Sequence, residues 1–297
     1  MNSKNRIAAL VVTYNRLSLL EECIEAIRSQ TFRDVDIIVV NNGSTDGTLE
    51  WLSKQKDIKT ITQDNQGGAG GFHTGIRYAV ENGYQYTWLM DDDTIPNMNA
   101  LEKLLDVVRL KPDFGFVCSR VLDIKGNPCN CPLVSFKKAK NGESRWISDI
   151  EDGIIEVDYC TFVSVLFNNS YAVKLGLPYK EFFIWGDDTE YSCRFSGTYD
   201  CYLAFNSIVI HKRKLNQALS IFNEKERKRI SNYFYSYRNG LYLSRKRGYL
   251  RYGFRVCNSI IDIFKLIKVG EFNKAYIICK AILSSVFFCP KRIYPIV

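Results

Sequence analysis

Short apolar runs alternate with longer amphipathic stretches over the first 118 residues of this chain. Five of the runs have the length and composition of buried strands: Ile7–Val12, Asp36–Val40, Lys59–Thr62, Tyr86–Met90 and Phe116–Cys118. The stretches between them carry apolar residues at helical spacing. This repeated strand–helix order predicts an α/β fold, with a mainly parallel sheet that is covered by helices on both faces.

Capping and backbone signals predict where several of these helices begin. Ser18–Glu21 reads as a capping box for the first helix, and Asp46 can cap the second. A third helix is predicted from about Gly71 to Asn82. Pro96 is expected to open the helix that precedes the fifth strand, because proline is favoured in the first turn of a helix.

The pattern changes twice along the rest of the chain. Residues 119–211 are less regular, and aromatic and β-branched runs such as Tyr159–Phe167 predict additional strands. Beyond residue 212 the pattern becomes helical, with Tyr233, Tyr237 and Leu241 on one face. The sequence therefore predicts an α/β domain over residues 1–215, with halves 1–118 and 119–215, and a helical region over 216–297.

The net charge of +8 is unevenly distributed. From Lys212 onward there are 19 Lys and Arg against 4 Asp and Glu, a net charge of +15, whereas residues 1–211 carry −7. A basic tail predicts an anionic partner, which could be a membrane surface, a nucleic acid or a phosphorylated substrate. No RNA- or DNA-binding motif is present, so nucleic acid is not expected as the partner.

Two apolar segments of the tail, Ile260–Ile267 and Ala275–Phe288, are interrupted by lysines and shorter than the ~18 residues that a transmembrane helix requires. They predict amphipathic helices that lie on an anionic membrane surface. The alternative is a packed helical subdomain with a solvated basic face. The N-terminus lacks the pattern of a signal peptide, and apart from Cys129 and Cys131 the ten cysteines are scattered singly. Both features predict a cytoplasmic protein with reduced thiols. Together with the basic tail, they predict a peripheral protein on the inner face of the cell membrane.

In a sheet of the predicted kind, ligands bind outside the carboxyl ends of the strands. Four polar, turn-rich loops directly follow predicted strands: Thr13–Arg16, Asn41–Ser44, Asn65–Gly71 and Asp91–Asp93. The sequence therefore predicts a ligand site that these four loops share.

The segment WLMDDDT, residues 88–94, places three consecutive aspartates in one of these loops. Asp91 and Asp93 can face the same way, and clustered carboxylates repel one another unless a cation lies among them. Their hard oxygen atoms suit Mg²⁺ or Mn²⁺. His211, at the end of the strand-like run CYLAFNSIVI, can supply a nitrogen ligand, and that mixed set favours Mn²⁺. The alternatives are a solvated acidic turn and a structural histidine.

A second acidic motif, FFIWGDDTEY, covers residues 182–191. Apolar neighbours of Asp187 and Asp188 can strengthen a carboxylate as a general base, and Trp185 offers a flat face on which a sugar can stack. The alternative is a helix N-terminus, where acidic side chains are favoured by the helix dipole.

The segment NQGGAGGFHTG, residues 65–75, contains five glycines. Such a turn at the start of a helix lets a ligand approach the backbone and meet the helix N-terminus. Close packing of the helix against the sheet is an equally direct reason for small residues. The sequence leaves both interpretations open.

Taken together, VVTYNR, VVNNGSTDGT, the DDD after an apolar strand and WGDDTE resemble the family 2 glycosyltransferases of the GT-A fold, over roughly residues 7–240. NQGGAGGF and IWGDD are most similar to the galactofuranosyltransferases, with the rhamnosyltransferases next. The resemblance implies that residues 1–118 bind a nucleotide sugar and that residues 119–215 carry the acceptor and catalytic half.

The resemblance also implies a donor site, with its first three residues around the nucleobase and ribose. Its members would be Thr13, Tyr14, Arg16, Asn41, Asn65, Gly67, Gly68, Asp91, Asp92 and Trp185. Many members of the family carry an aspartate pair where this chain has Asn41 and Asn42. An amide can still form hydrogen bonds to a uracil or a ribose.

By the same resemblance, Asp91 and Asp93 match the D-x-D pair that holds the metal, and His211 matches a histidine that completes the site in the galactofuranosyltransferase branch. Asp188 matches the catalytic base, with Asp187 beside it. Asp188 would remove a proton from an acceptor hydroxyl as that oxygen attacks the anomeric carbon, which inverts its configuration.

The resemblance thus implies an inverting, metal-dependent glycosyltransferase that uses Mn²⁺ or Mg²⁺. The expected donor is UDP-galactofuranose, and the expected acceptor is a lipid-linked glycan of a bacterial surface polysaccharide. A rhamnosyltransferase that uses dTDP-rhamnose is the alternative within the family. A non-catalytic sugar-binding module of the same fold is the alternative of another class.

Overall fold

The computed structural model describes residues 6–213 and 220–297. The strands in this part of the chain are β1 (Ile7–Thr13), β2 (Val35–Asn41), β3 (Ile58–Thr62), β4 (Tyr86–Asp91), β5 (Thr94–Pro96), β6 (Phe116–Asp123), β7 (Leu133–Val134), β8 (Ile154–Tyr159), β9 (Val165–Asn168) and β10 (Tyr202–His211). The α-helices are α1 (Leu17–Arg28), α2 (Thr48–Ser53), α3 (Gly67–Glu81), α4 (Ala100–Leu110), α5 (Asn169–Leu175), α6 (Asp187–Ser196), α7 (Arg227–Lys246), α8 (Tyr249–Lys268) and α9 (Phe272–Phe287).

All ten strands form one sheet, whose main order is β3-β2-β1-β4-β9-β6-β10-β8-β7, with β5 paired to β10. The first four strands of this order are parallel. β9 lies antiparallel between β4 and β6, and β10 is parallel to β6. The α/β fold class is confirmed, with the parallel character concentrated in β1–β4 and a mixed sheet beyond them.

Alternation along the strands divides the core into two layers. In β1, Ile7, Ala9 and Val11 belong to one apolar cluster, which also contains the inner faces of α1 and α4. Ala8, Leu10 and Val12 belong to the other cluster, with residues of α3. Because successive side chains of a strand point to opposite faces, both faces of β1 are buried under helices. The prediction of helices on both faces is confirmed.

The glycine-rich segment is mostly helical, so the predicted start of the third helix at Gly71 is wrong. Helix α3 begins at Gly67. A Cβ atom on Gly71 would lie 2.4 Å from Cγ1 of Val12, and one on Gly75 would lie 2.4 Å from Cδ1 of Leu10. These two glycines are therefore needed for the close approach of α3 to β1. A Cβ on Gly68, in contrast, would meet no atom within 4 Å.

Two other helix starts also differ from the prediction. The Ser18–Glu21 capping box does not form, because α1 begins at Leu17 and its first N–H donates to Asp46 Oδ2 at 3.1 Å. The N-cap of α2 is Gly47, not Asp46, but Oδ1 of Asp46 accepts the N–H of Thr48, the first residue of α2, at 3.2 Å. Asp46 therefore binds the first N–H of both helices. Pro96 ends β5 instead of opening a helix, and its lack of an N–H is tolerated in that short antiparallel pairing.

The described residues divide into two compact units. The sheet unit contains the chain up to Lys180, Asp188–Arg213 and Arg292–Val297. The helical unit contains Glu181–Asp187 and residues 220–291, with α7, α8 and α9. The predicted domain boundary between residues 215 and 216 lies outside the described residues.

All ten cysteines are free thiols. Among the helices of residues 6–213 and 220–297, none combines the length and the apolar character that crossing a bilayer would require.

Candidate functional site

The carboxyl ends of β1, β2 and β4 meet where the strand order reverses. From β1 the chain proceeds outward through β2 and β3, and β4 then returns to the other side of β1. Thr13 is in register with Asn41 of β2, and Val12 is in register with Asp91 of β4. Ligands of open α/β sheets bind in the crevice at such a switch point. The predicted donor-site residues Thr13, Asn41 and Asp91 are therefore neighbours at this edge.

The pairing of β5 with β10 brings His211 to the acidic turn. Thr94 lies opposite His211 in this pairing, and the N–H of Lys212 donates to the carbonyl oxygen of Asp93 at 2.8 Å. His211 Nε2 is 3.1 Å from Asp93 Oδ1. One ligand atom from each of Asp91, Asp93 and His211 lies within 4.8 Å of the other two. The three residues predicted as metal ligands thus converge, although 118 residues separate Asp93 from His211.

This donor set fits a divalent cation. Ligand bonds of about 2.1 Å place two ligand atoms of one ion about 3–4 Å apart, so small side-chain rotations would suffice to bring all three onto one centre. Two carboxylates would balance the charge of such an ion. Their oxygen atoms suit Mg²⁺ and Mn²⁺, and the imidazole nitrogen favours Mn²⁺ of the two.

The protonation of the three aspartates reflects their crowding. Burial, reinforced by the neighbouring Asp93, raises the pKa of Asp91 to about 8. Burial also raises the pKa of Asp92 to about 6, against the opposing charge of Arg16. For Asp93 the effect of burial is outweighed by the hydrogen bond and charge of His211, and its pKa is lowered. Without a cation, the crowding of the cluster therefore favours retention of a proton, most of all on Asp91.

Asp92, the middle aspartate, is bound to the loop after β1. The hydroxyl of Thr13 donates to Asp92 Oδ2 at 2.9 Å. Nη1 of Arg16 lies 3.1 Å from Asp92 Oδ1 and 2.8 Å from Asp93 Oδ2. The Arg16 side chain is still 47% exposed, so that it can also reach a ligand. Tyr14 lies between these two residues of the loop and is half-buried.

Asn130 is a site residue that the sequence analysis missed. Its Oδ1 lies 3.0 Å from Nδ1 of His211. An acceptor at this position keeps a proton on Nδ1, so that Nε2 could serve as the ligand of a cation held at the acidic turn, as the outer-shell partners of metal-bound histidines arrange. The backbone of Asn130 is left-handed, with φ of +48°. Asparagine tolerates this conformation well, which is the only local signal that the sequence offers.

The amide side chains near β2 hold the start of α3. Asn42 Nδ2 donates to the carbonyl oxygen of Gly67 at 2.8 Å, and Asn65 Oδ1 accepts the N–H of Gly67 at 2.9 Å. Asn41 Oδ1 accepts the N–H of Ser44 at 3.0 Å. The buried Asn41 Nδ2 has no hydrogen-bond partner among the described residues. The predicted donor residues Asn41, Asn65 and Gly67 therefore lie on one polar framework.

Asp187 and Asp188 are the first residues of helix α6, so the helix N-terminus considered for this motif is present. Asp188 Oδ1 accepts the N–H of Thr189 at 2.6 Å, and the Ser192 hydroxyl donates to the Asp188 carbonyl oxygen at 2.7 Å. Asp188 belongs to the sheet unit, whereas Asp187 and Trp185 belong to the helical unit. The metal-ligand candidates and Asp188 are thus all in the sheet unit.

His73, the second histidine, has a structural environment. It is buried in α3, with Nδ1 2.7 Å from the carbonyl oxygen of Pro178 and Nε2 3.0 Å from Nη2 of Arg77. These contacts join α3 to the segment after α5 and engage both ring nitrogens. Of the two histidines, only His211 contributes to the acidic cluster.

Comparisons with curated proteins identify several glycosyltransferases as relatives. Glycosyltransferase GlyG of Streptococcus pneumoniae is 34% identical over 110 residues, which cover 35% of this chain and 36% of GlyG. Galactofuranosyltransferase GlfT1 of Mycobacterium tuberculosis is 29% identical over 194 residues, 62% of either chain. In both cases the match covers less than two thirds of the relative.

Solved structures share the fold at low sequence identity. Residues 1–349 of TarS from S. aureus, in complex with UDP-GlcNAc, superpose with a TM-score of 0.57 and 13% identity, covering 78% of this chain and 64% of that one. The mannosyltransferase PcManGT of Pyrobaculum calidifontis, in complex with GDP-Man and Mn²⁺, gives a TM-score of 0.55 and 13% identity, with coverages of 96% and 88%. The fold is therefore that of the GT-A glycosyltransferases.

A family model covers the part of the acidic site that β1–β4 and the aspartate turn build, but not β10 with His211. Residues 8–162, just over half of the chain, match the model of glycosyl transferase family 2. This range includes β1–β4, the turn with Asp91 and Asp93, and Asn130. The chain belongs to glycosyl transferase family 2.

Proposed function

We propose that this protein is a metal-dependent glycosyltransferase that takes a sugar from a nucleotide-sugar donor. The observation that carries the proposal is the convergence of Asp91, Asp93 and His211 at the switch point of a family 2 sheet. A carboxyl group whose pKa is raised by burial and by a second carboxylate, as that of Asp91 is beside Asp93, is typical of functional sites. A cation held by these three side chains would neutralise the negative charge of the departing diphosphate.

The donor proposed is UDP-galactofuranose, and Mn²⁺ is the preferred metal. Similarity to GlfT1 over 62% of the chain supports the galactofuranosyl donor. The UDP-GlcNAc of TarS and the GDP-Man and Mn²⁺ of PcManGT support a nucleotide-sugar donor and a divalent metal. Arg16, half-exposed beside the acidic turn, and the N-terminal N–H groups of α3 are the proposed contacts of the donor.

Asp188 is the proposed general base. Thr189 holds one oxygen of its carboxylate, which fixes the side chain at the start of α6. We assign to this carboxylate the removal of a proton from the acceptor hydroxyl while that oxygen attacks the anomeric carbon. The bond to the diphosphate breaks on the opposite face, so the configuration of the sugar is inverted.

A panel of nucleotide sugars with Mn²⁺, scored by nucleotide release and by transfer to a glycan acceptor, tests the proposal. We expect UDP-galactofuranose to be used in preference to dTDP-rhamnose, and EDTA to abolish turnover. Preference for dTDP-rhamnose would favour the rhamnosyltransferase. A failure to turn over any donor, together with retained sugar binding, would favour the non-catalytic module.

Asp188→Asn tests the base. The variant should bind the donor with unchanged affinity and lose about 10²–10⁴-fold in transfer rate, which is the usual contribution of a positioned base. Asp152→Asn is the matched control, because Asp152 is exposed outside the site. Near-normal transfer by Asp188→Asn would remove Asp188 from this role.

We further propose that the helical unit binds an anionic membrane surface, on which a lipid-linked acceptor would be presented. Five residues of α8 spaced four and three apart form an exposed and mostly apolar stripe: Leu250, Phe254, Cys257, Ile261 and Phe264. α9 repeats this spacing with Phe272, Tyr276, Cys279, Leu283 and Val286, also exposed. Such stripes are typical of helices that lie in a lipid headgroup region.

Cations accompany the stripe on α8. Arg247, Arg251, Lys265 and Lys268 are exposed on or beside this helix. Vesicles with and without phosphatidylserine test the surface: retention should need the anionic lipid, fall with salt, and fall at least tenfold for Phe254→Glu. Phe136→Glu, which changes an equally exposed phenylalanine of the sheet unit, is the control. Equal retention of the two variants would contradict the proposal.

A further inference from the structure

The segment that leads into α6 has an unusual backbone. Phe183 and Trp185 have φ angles of +64° and +65°, and Gly186 has +90°. The left-handed region strains a bulky side chain, and it persists only where surrounding contacts impose it. Contacts from elsewhere in the helical unit must therefore hold this segment.

Asn239 of α7 supplies the central contact. Its Nδ2 donates to the carbonyl oxygens of Phe182 at 2.9 Å, Ile184 at 3.2 Å and Trp185 at 2.8 Å. The side chain is only 1% exposed. The two N–H groups of a single buried amide are thus shared among three carbonyl oxygens of the strained segment.

Arg238 fixes the orientation of that amide. Its Nε and Nη2 donate to Asn239 Oδ1 at 3.1 and 2.9 Å, and Nη2 also donates to the carbonyl oxygen of Glu181 at 2.6 Å. A flipped amide would turn its oxygen toward three carbonyl oxygens and its NH₂ toward a cation. The guanidinium is buried over the ring of Phe288, 3.8 Å from its centroid.

Two aromatic contacts from α7 also stabilise this segment. The ring of Phe183 stacks on Tyr235 with centroids 4.7 Å apart. The indole of Trp185 packs on Tyr233 at 5.2 Å. The direction of both rings therefore depends on the same left-handed backbone that Asn239 supports.

We infer that Asn239, oriented by Arg238, is a positioning residue for sugar transfer. It would hold Trp185, and the chain that continues through Gly186 to Asp187, in the conformation that the reaction requires. The inference rests on the proposed function, in which Asp188, the residue that follows Asp187, is the base.

Asn239→Ala in the intact 297-residue chain tests the inference, with Asn232→Ala on the same helix as the control. We expect amide hydrogen exchange in the peptide covering residues 181–189 to become at least tenfold faster in Asn239→Ala, while peptides from β1–β4 keep their rates. With the donor that the wild type uses, kcat should fall at least tenfold and the KM for the donor should change less than threefold. A purely structural contribution would lower the melting temperature without this split between kcat and KM.

Asn239→Asp and Arg238→Lys extend the test if Asn239→Ala does not fold. The first keeps the size of the side chain and removes the donors, and the second keeps the charge and removes the double contact to Oδ1. Both should give the same local increase in exchange. Exchange equal to that of Asn232→Ala, or faster exchange with unchanged kcat, would overturn the inference. If the wild type uses no donor, the proposed function fails, and hydrogen exchange alone decides whether Asn239 positions the segment.

Discussion

The clearest quantitative test of the fold concerns Gly75. A Cβ placed there would lie 2.4 and 2.5 Å from the two methyl carbons of Leu10 and 2.9 Å from its Cγ. Leu10 is fully buried in the centre of β1 and cannot move aside. Gly75→Ala must therefore push α3 away from the sheet or strain both elements. Gly68→Ala, in the first turn of the same helix, adds its methyl group to open space.

The expected magnitude combines two opposing effects. Overpacking a core costs about 1–3 kcal/mol, and an approach this far below a normal carbon contact of about 3.5–4.0 Å belongs at the upper end. Alanine in place of glycine in a helix returns up to about 1 kcal/mol. We therefore expect Gly75→Ala to lower the free energy of unfolding by about 2 kcal/mol and Gly68→Ala to raise it by up to about 1 kcal/mol.

Urea denaturation followed by circular dichroism measures this difference of about 3 kcal/mol. The comparison between the two variants cancels the effect that any Gly→Ala change has on the unfolded chain. If Gly75→Ala unfolds at the same urea concentration as Gly68→Ala, the packing argument is wrong. Donor kinetics add a second result, because a higher KM in Gly68→Ala, with stability intact, would support a donor site at the start of α3.

Three further predictions concern the acidic site and the stability of the fold. Asn130→Ala removes the acceptor that orients His211, so Mn²⁺ affinity in isothermal titration calorimetry should fall about 10–100-fold, whereas Asn141→Ala on an exposed turn should leave it unchanged. Because the pKa of Asp91 is raised to about 8, Mn²⁺ binding at pH 7 should release close to one proton. The affinity for Mn²⁺ should therefore decline as the pH falls from 8 to 6. Calorimetric binding heats that are the same in buffers of different ionisation enthalpy would contradict this. Asp46→Ala should lower the free energy of unfolding by about 1–2 kcal/mol at neutral pH. The pKa of Asp46 is lowered in the folded protein, so this difference should shrink as the pH falls through that value, and urea denaturation at pH 7 and pH 3 measures it.

The parallel half of the sheet could be predicted from the sequence because its signal is local. β1–β4 each match the predicted strand within one residue at either end. Buried parallel strands are continuous apolar runs, and the first polar residues after them mark the carboxyl edge. Thr13, Asn41 and Asp91 could therefore be assigned to one edge before any contact was known.

The start of α3 could not be predicted in this way, because its determinants are not local. Glycine disfavours a helix in isolation, so Gly67–Gly71 resembles a loop. The close approach to Val12 and Leu10 overrides that preference, and it depends on which strand the helix covers. The contact of Asp46 with the start of α1 could not be predicted either, because it joins residues that are 29 positions apart in the sequence.

Asn130 shows the corresponding limit for the site. It contacts His211 across 81 residues, and nothing in the segment around Cys129 and Cys131 relates it to a histidine at the end of a distant strand. Only the pairing of β10 with β6 and β5 brings the imidazole into this position. The residues that would bind a metal directly can be inferred from their chemistry. The residues that orient those ligands can be identified only once the complete fold is known.

The three consecutive aspartates make this distinction within a single turn. Sequence alone treats Asp91, Asp92 and Asp93 as equivalent carboxylates on a loop. In the fold, the outer two converge with His211, while both oxygens of the middle one are bound by Thr13 and Arg16. Asp92 thereby connects the turn to the end of β1, and its contacts oppose the mutual repulsion of Asp91 and Asp93. In this chain, Asp92 therefore helps to position Asp91 and Asp93, because it connects their turn to Thr13 at the end of β1 and to Arg16 in the loop that follows.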